Sequence, residues 1–134
     1  MQNLITGVAH LGLQVSDINK SSQFYQSLGF KLNESFTKPL EHGEVSVQFL
    51  TSPALTIELY QLPTTVHSHQ VFSGIEHIAL EVSDIEKALQ TITELGYPIN
   101  EGPVYQKRET CEVHFFLISG PDGERVEFDM THYF

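Results

Sequence analysis

Apolar and polar positions alternate from Val8 to Val15, with Leu11, Leu13 and Val15 on one side and His10, Gly12 and Gln14 on the other. A period of two belongs to a half-buried strand, so His10 is predicted to point away from the core. The period then lengthens. Ile18, Phe24, Tyr25 and Leu28 recur at helical spacing, Asp17 stands where a carboxylate caps a first turn, and Gly29 stands where a helix stops. Three strand-like segments follow: a poorly defined one around Leu32 to Thr37, then Glu44 to Leu50 and Leu55 to Tyr60. In the last of them Ile57 and Leu59 take the core side, which leaves Thr56, Glu58 and Tyr60 opposite.

The whole series begins again 67 residues later. Val8 to Phe30 lies on Ile75 to Tyr97 without a gap and is identical at ten of 23 positions, among them His10 with His77 and Leu28-Gly29 with Leu95-Gly96. The second copy has Asp84 as cap, an apolar set of Ile85, Ala88, Leu89, Ile92 and Leu95, and Gly96 as stop. Its strands are expected at Ile99 to Tyr105, Glu112 to Ile118 and Arg125 to Asp129, with Pro121-Asp122-Gly123 as a tight turn. Aligning Pro53 to Leu59 with Pro121 to Phe128 brings Glu58 onto Glu127. Val126 and Phe128 then point inward, and Arg125, Glu127 and Asp129 point the other way.

The fold class is therefore α+β: two tandem β-α-β-β-β modules, residues 7–61 and 75–130, joined by a polar linker over 62–74 within one domain spanning 1–134. Modules of about 67 residues are marginal alone, so they are expected to share a core or exchange partners.

Composition narrows the function. A formal charge of −10 argues against nucleic acid or an anionic membrane as partner, since both reward clustered Lys and Arg, whereas it suits divalent cations. No apolar run approaches membrane-spanning length and the N-terminal residues lack a basic, apolar leader pattern, so a soluble cytoplasmic protein is expected. Cys111 is the single cysteine, which rules out an intramolecular disulfide, and its setting reads as a bland thiol.

Each copy thus carries a histidine in its first strand and a glutamate in its last, all on non-core faces. Two neutral imidazoles and two carboxylates suit a divalent metal of borderline softness, and their two negative charges offset that of the ion. Four protein ligands around a six-coordinate ion leave room for substrate. A Lewis acid beside a carbonyl, with a glutamate as base, points to proton abstraction next to that carbonyl. A single strand histidine is usually just solvated; repetition and shared parity single out His10, Glu58, His77 and Glu127. His114 shares their face if Val113, Phe115 and Leu117 face the core, and reads as a pocket acid or, more commonly, a polar wall residue. His67 and His69 form an H-x-H in the linker, where mobile loop histidines are commoner than ligands.

The pattern Val15-Ser-Asp to Phe24-Tyr25-Gln-Ser-Leu28-Gly29, together with Pro121-Asp-Gly to Glu127, resembles the vicinal oxygen chelate superfamily. That superfamily includes glyoxalase I, methylmalonyl-CoA epimerase, extradiol dioxygenases, fosfomycin-modifying enzymes and bleomycin-binding proteins. The resemblance covers Gly7 to Asp129. It implies a cup-shaped mixed sheet around a metal with helices outside, and a homodimer. The full quartet His10, Glu58, His77 and Glu127, at intervals of 48, 19 and 50 residues, resembles bacterial glyoxalase I, which implies nickel, cobalt or zinc. It also implies a lactoylglutathione lyase-like activity, with Glu127 as the favoured base and Glu58 acting from the other side of the substrate.

Where glyoxalase I-like enzymes hold the glutathione carboxylates, this chain has Gln14, Leu62 and Ser73, so glutathione is disfavoured as thiol carrier. Gln14, Tyr60 and His114 are the expected substrate contacts. Glu58, with Ser46 and Gln48 expected on the cup face, departs from the epimerase pattern. Two alternatives stand beside the lyase: a non-catalytic small-molecule binding or resistance protein of antibiotic-binding type, and an extradiol-type dioxygenase, for which His114 or Tyr60 is the acid-base group.

Overall fold

A computed structural model describes residues 3, 4, 8, 10–63 and 77–134. Ser73, His67, His69 and all of the expected linker except Leu62 and Pro63 lie outside the described residues. The chain divides into two compact units, Met1–Gln70 and Val71–Phe134.

The first unit runs β1 (Leu11–Gln14), α1 (Ile18–Ser27), β2 (Lys31–Leu40), β3 (Gly43–Thr51) and β4 (Thr56–Gln61). The second repeats the order with β5 (His77–Glu81), α2 (Ile85–Glu94), β6 (Glu101–Lys107), β7 (Cys111–Ser119) and β8 (Arg125–Tyr133). Each forms a mixed four-stranded sheet, ordered β1-β4-β3-β2 and β5-β8-β7-β6. In both, the first strand lies parallel to the last and the other pairs are antiparallel. A βαβββ chain achieves this because the helix carries the chain across one sheet face to the far edge.

The helices begin and end as their sequence signals predict. Asp17 accepts from the amides of Asn19 and Lys20, both at 3.1 Å, and Asp84 accepts from that of Lys87 at 3.0 Å. Gly29 and Gly96 follow the helices with φ of 104° and 87°, a conformation in which a Cβ is strained. Behind α1, Ile18, Phe24 and Tyr25 meet a sheet face containing Leu50, Ile57 and Leu59, the last three at most 1% exposed. Behind α2, Ile85 and Ile92 are buried with Phe116, Ile118, Val126 and Phe128. Leu95 is exposed at the C-cap rather than part of that apolar set.

Four strands depart from expectation. β1 is confined to Leu11–Gln14, so Val8 and His10 precede it. β2 spans Lys31–Leu40 and is exposed throughout, so no burial alternation marks it in the sequence. β6 starts at Glu101 rather than Ile99 and shifts register between Glu101 and Val104. Gly102 permits the shift, since its φ is 89° and a Cβ there would lie 2.8 Å from the Phe115 carbonyl oxygen. β8 continues to Tyr133, past Asp129 and past the expected module end at residue 130, because Cys111 to His114 supply ladder partners for Met130 to Tyr133.

Candidate metal centre

Strand pairing places the four predicted ligands in two matching pairs, one in each module. In the first, Gly12 is the register partner of Glu58, and His10 precedes Gly12 by one strand repeat on the same face. In the second, Ala79 is the partner of Glu127 and His77 precedes it in the same way. His10 Nε2 lies 3.7 Å from Glu58 Oε2, and His77 Nε2 lies 3.2 Å from Glu127 Oε2. The imidazoles are about two-fifths exposed, whereas the carboxylates are sunk more deeply, to 26% for Glu58 and 16% for Glu127. Within neither module do three or more His, Cys, Asp or Glu side chains gather among the described residues, so each module offers two donors.

The two faces differ in what surrounds the pair. In module one Phe49 is the register partner of Glu58, and its ring meets that of His10 edge-on at 5.4 Å. Phe36 stacks on Phe49 at 6.3 Å, and Val47 and Tyr60 are partners on the same face. Gln14 is paired with Tyr60, so both predicted substrate contacts lie beside His10 and Glu58. In module two the partner of Glu127 is Leu117, and Asp129 and Arg125 flank Glu127 on its own strand. Arg125 Nη2 contacts Glu101 Oε2 at 2.5 Å, and Thr131 donates to Asp129 at 2.8 Å. One face is aromatic and the other carboxylate-rich.

That second environment acts on Glu127. Burial, the largest effect, raises its pKa above the ordinary 4.5; Asp129 and Glu101 add to the rise, while His77 and Arg125 oppose it. A glutamate held in this way keeps a proton more readily than a surface carboxylate does.

Two expectations are corrected by register. His114 pairs with Met130 and lies on the same face as Phe116 and Phe128, opposite Glu127, with its ring against Tyr105 at 4.5 Å. It is therefore not a substrate contact beside the ligands. Leu117 and Phe115, which pair with Glu127 and Asp129, take that side instead. Gln48 is likewise the partner of Leu59 on the helix-facing side, where its Oε1 is buried without a hydrogen-bond partner. The residues missed from sequence are Phe49 and Phe36; the signal that finds them is the alternation Val45, Val47, Phe49, once that face is assigned to the ligands. Cys111 is buried, in keeping with a bland thiol.

Tandem βαβββ modules, each with a histidine before the first strand or at its start and a glutamate on the last, define a vicinal oxygen chelate protein. The chain belongs to the Glyoxalase/Bleomycin resistance protein/Dioxygenase superfamily, which it matches over residues 7–128. A probable lactoylglutathione lyase of Synechocystis is 31% identical over 127 residues, spanning 91% of this chain and 93% of that protein. The fold is shared with the glyoxalase family protein of Bacillus cereus at a TM-score of 0.75 and 18% identity, covering 97% of each chain. It is shared also with the fosfomycin resistance protein FosX of Listeria monocytogenes, solved with Mn(II) and sulfate, at a TM-score of 0.66 and 18% identity over 95% of this chain and 93% of that one. The superfamily includes metalloenzymes that use a divalent cation on small-molecule substrates. Among the described residues no helix is long and apolar enough to cross a membrane.

Proposed function

We propose that this chain is a metal-dependent lyase or isomerase of glyoxalase I type, with His10, Glu58, His77 and Glu127 as the ligands of one divalent ion per site. The reaction is proton transfer next to a carbonyl on a small thiol-adduct or hydroxy-carbonyl substrate. One observation carries the reading: an imidazole and a carboxylate, 3.7 Å apart in one module and 3.2 Å in the other, at matching register positions. Two neutral nitrogens and two carboxylate oxygens fit nickel, cobalt or zinc. The bound ion would polarise the substrate carbonyl and so acidify the adjoining C–H.

The chain's residues supply the rest. Glu127 is the proposed base, and burial raises its proton affinity above that of an ordinary carboxylate. In this proposal Glu58 serves from the other side of the substrate. Gln14 and Tyr60, on the His10 face, orient it. Gln14 and Leu62, standing where glyoxalase I-like enzymes have an arginine and an asparagine, favour a thiol carrier other than glutathione. A homodimer in the cytoplasm completes the proposal.

The test is conversion of hemithioacetals, made from methylglyoxal and a panel of thiols, by chelator-stripped protein reloaded with nickel, cobalt or zinc. Turnover with solvent deuterium entering the product, reduced roughly 10²–10⁴-fold in Glu127→Gln, supports the proposal. Loaded protein that neither converts nor exchanges any of them contradicts it. The aromatic face of module one favours a second reading, a protein that sequesters a small molecule, and tight binding without product is its signature.

A further inference from the structure

The two modules keep the same ligand pair but have diverged around it, and the divergence bears on what is bound. The partner of the metal-side glutamate is Phe49 in module one and Leu117 in module two. Leu117 is buried at 3% exposure, whereas Phe49 is only partly covered and Phe36, stacked on it with planes 23° apart, is 37% exposed. His10 meets the first ring of this stack edge-on, so the rings run outward from the His10–Glu58 pair. Lys38 Nζ lies over the Phe36 ring, 5.6 Å from its centroid. A face meant only to fill a core would bury these rings. Here they form a ledge that begins at a candidate ligand and stays open.

We infer that Phe49 and Phe36 are specificity-determining residues that seat a flat, apolar group, such as a phenyl ring, attached next to the chelating oxygens of the substrate. The inference rests on the metal-site reading above and deepens it: the substrate is an aryl-substituted hydroxy-carbonyl or thiol adduct rather than one carried by an anionic tail. An aromatic ring stacks on such a ledge in offset or edge-to-face geometry, whereas a methyl group covers little of it. The neutral Gln14 on the same face agrees with a substrate gripped by its ring.

The probes are acetohydroxamate and benzohydroxamate, two oxygen chelators with the same charge that differ by methyl against phenyl. Each is titrated by calorimetry into nickel-loaded protein, with the ring-proton NMR signals of the phenylalanines followed in parallel on the diamagnetic zinc-loaded form. Wild type is expected to bind benzohydroxamate about tenfold or more tighter than acetohydroxamate, with Phe49 and Phe36 signals moving only for the former. Phe49→Leu, which installs the residue found at the matching place in module two, and Phe36→Ala on the exposed strand are each expected to cut that ratio several-fold, the ratio being taken within each variant so that any change at the metal cancels. Equal affinities in wild type, or a ratio untouched by both substitutions, overturn the ledge but leave the metal site standing. Failure of the protein to take up nickel, or to bind either hydroxamate when loaded, overturns the metal-site reading and the ledge with it.

Discussion

Gly12 is a position where stability and function should part. It lies on the exposed face of β1, is the register partner of Glu58, and is followed on the same face by Gln14 beside Tyr60. Its φ is not in the left-handed region, and a Cβ built on it would meet only Tyr60 Cε1 at 3.8 Å, an ordinary contact. Module two already has a methyl there, as Ala79. Gly12→Ala should thus remove freedom from the unfolded chain and stabilise by about 0.4–1 kcal/mol. For a domain of this size that is a rise in Tm of roughly 2–4 °C. Gly12→Val should hold that gain or add to it, since a β-branched side chain suits a strand and the scale spans about 1 kcal/mol. β1 and β4 run side by side as parallel strands about 4.7–4.9 Å apart, so valine methyls at this position are expected to reach toward Glu58 and crowd the space it shares with His10. Nickel affinity, by competition with a colorimetric chelator, should be near wild type in Gly12→Ala and at least about tenfold weaker in Gly12→Val. A Gly12→Val protein that melts no lower than wild type yet binds nickel equally well would refute the placement of Glu58 and His10 at the ion.

Three further outcomes follow from the geometry. Because the folded pKa of Glu127 is raised, its contribution is fully present below the ordinary 4.5 and is lost as pH climbs through the raised value, so ionised Glu127 costs stability at pH 7. Thermal unfolding in chelator should then find Glu127→Gln more stable than wild type at neutral pH, with the gap closing toward pH 4; a gap that is constant with pH contradicts the assignment. Asp17→Ala removes the acceptor for the Asn19 and Lys20 amides and should cost about 1 kcal/mol in urea unfolding. Phe116, fully buried and stacked on Phe128 at 4.9 Å, should cost about 3–5 kcal/mol when cut to alanine, and a loss under 1 kcal/mol would contradict its place in the core.

Much of this architecture is legible in the sequence because the repeat doubles every signal. The capping aspartates, the stop glycines and the parity of Ile57-Glu58-Leu59 and Val126-Glu127-Phe128 each occur twice, so each copy checks the other. β7 resists the same reading, since Phe115, Phe116, Leu117 and Ile118 are all apolar and no alternation says which side faces the helix. Only pairing with β8 settles it, and it turns His114 away from Glu127. In β3 the apolar side, Val45, Val47 and Phe49, is the ligand side rather than the helix side, and Val45 and Val47 are nonetheless buried. A ligand-bearing face can itself be apolar, and a rule that sends every apolar stripe to the helix misplaces Gln48 and overlooks the ledge. The exposed β2 gives almost no periodic signal, though it carries Phe36.

The central claim is that the two histidine–glutamate pairs hold one kind of ion. Elemental analysis of protein stripped with chelator, reloaded with nickel, cobalt or zinc and freed of excess tests it most directly, with Glu58→Gln and Glu127→Gln run alongside. The account predicts about one ion per chain in wild type and a marked loss in both variants. Wild-type protein that retains no ion, or variants that retain it as firmly as wild type, would contradict it.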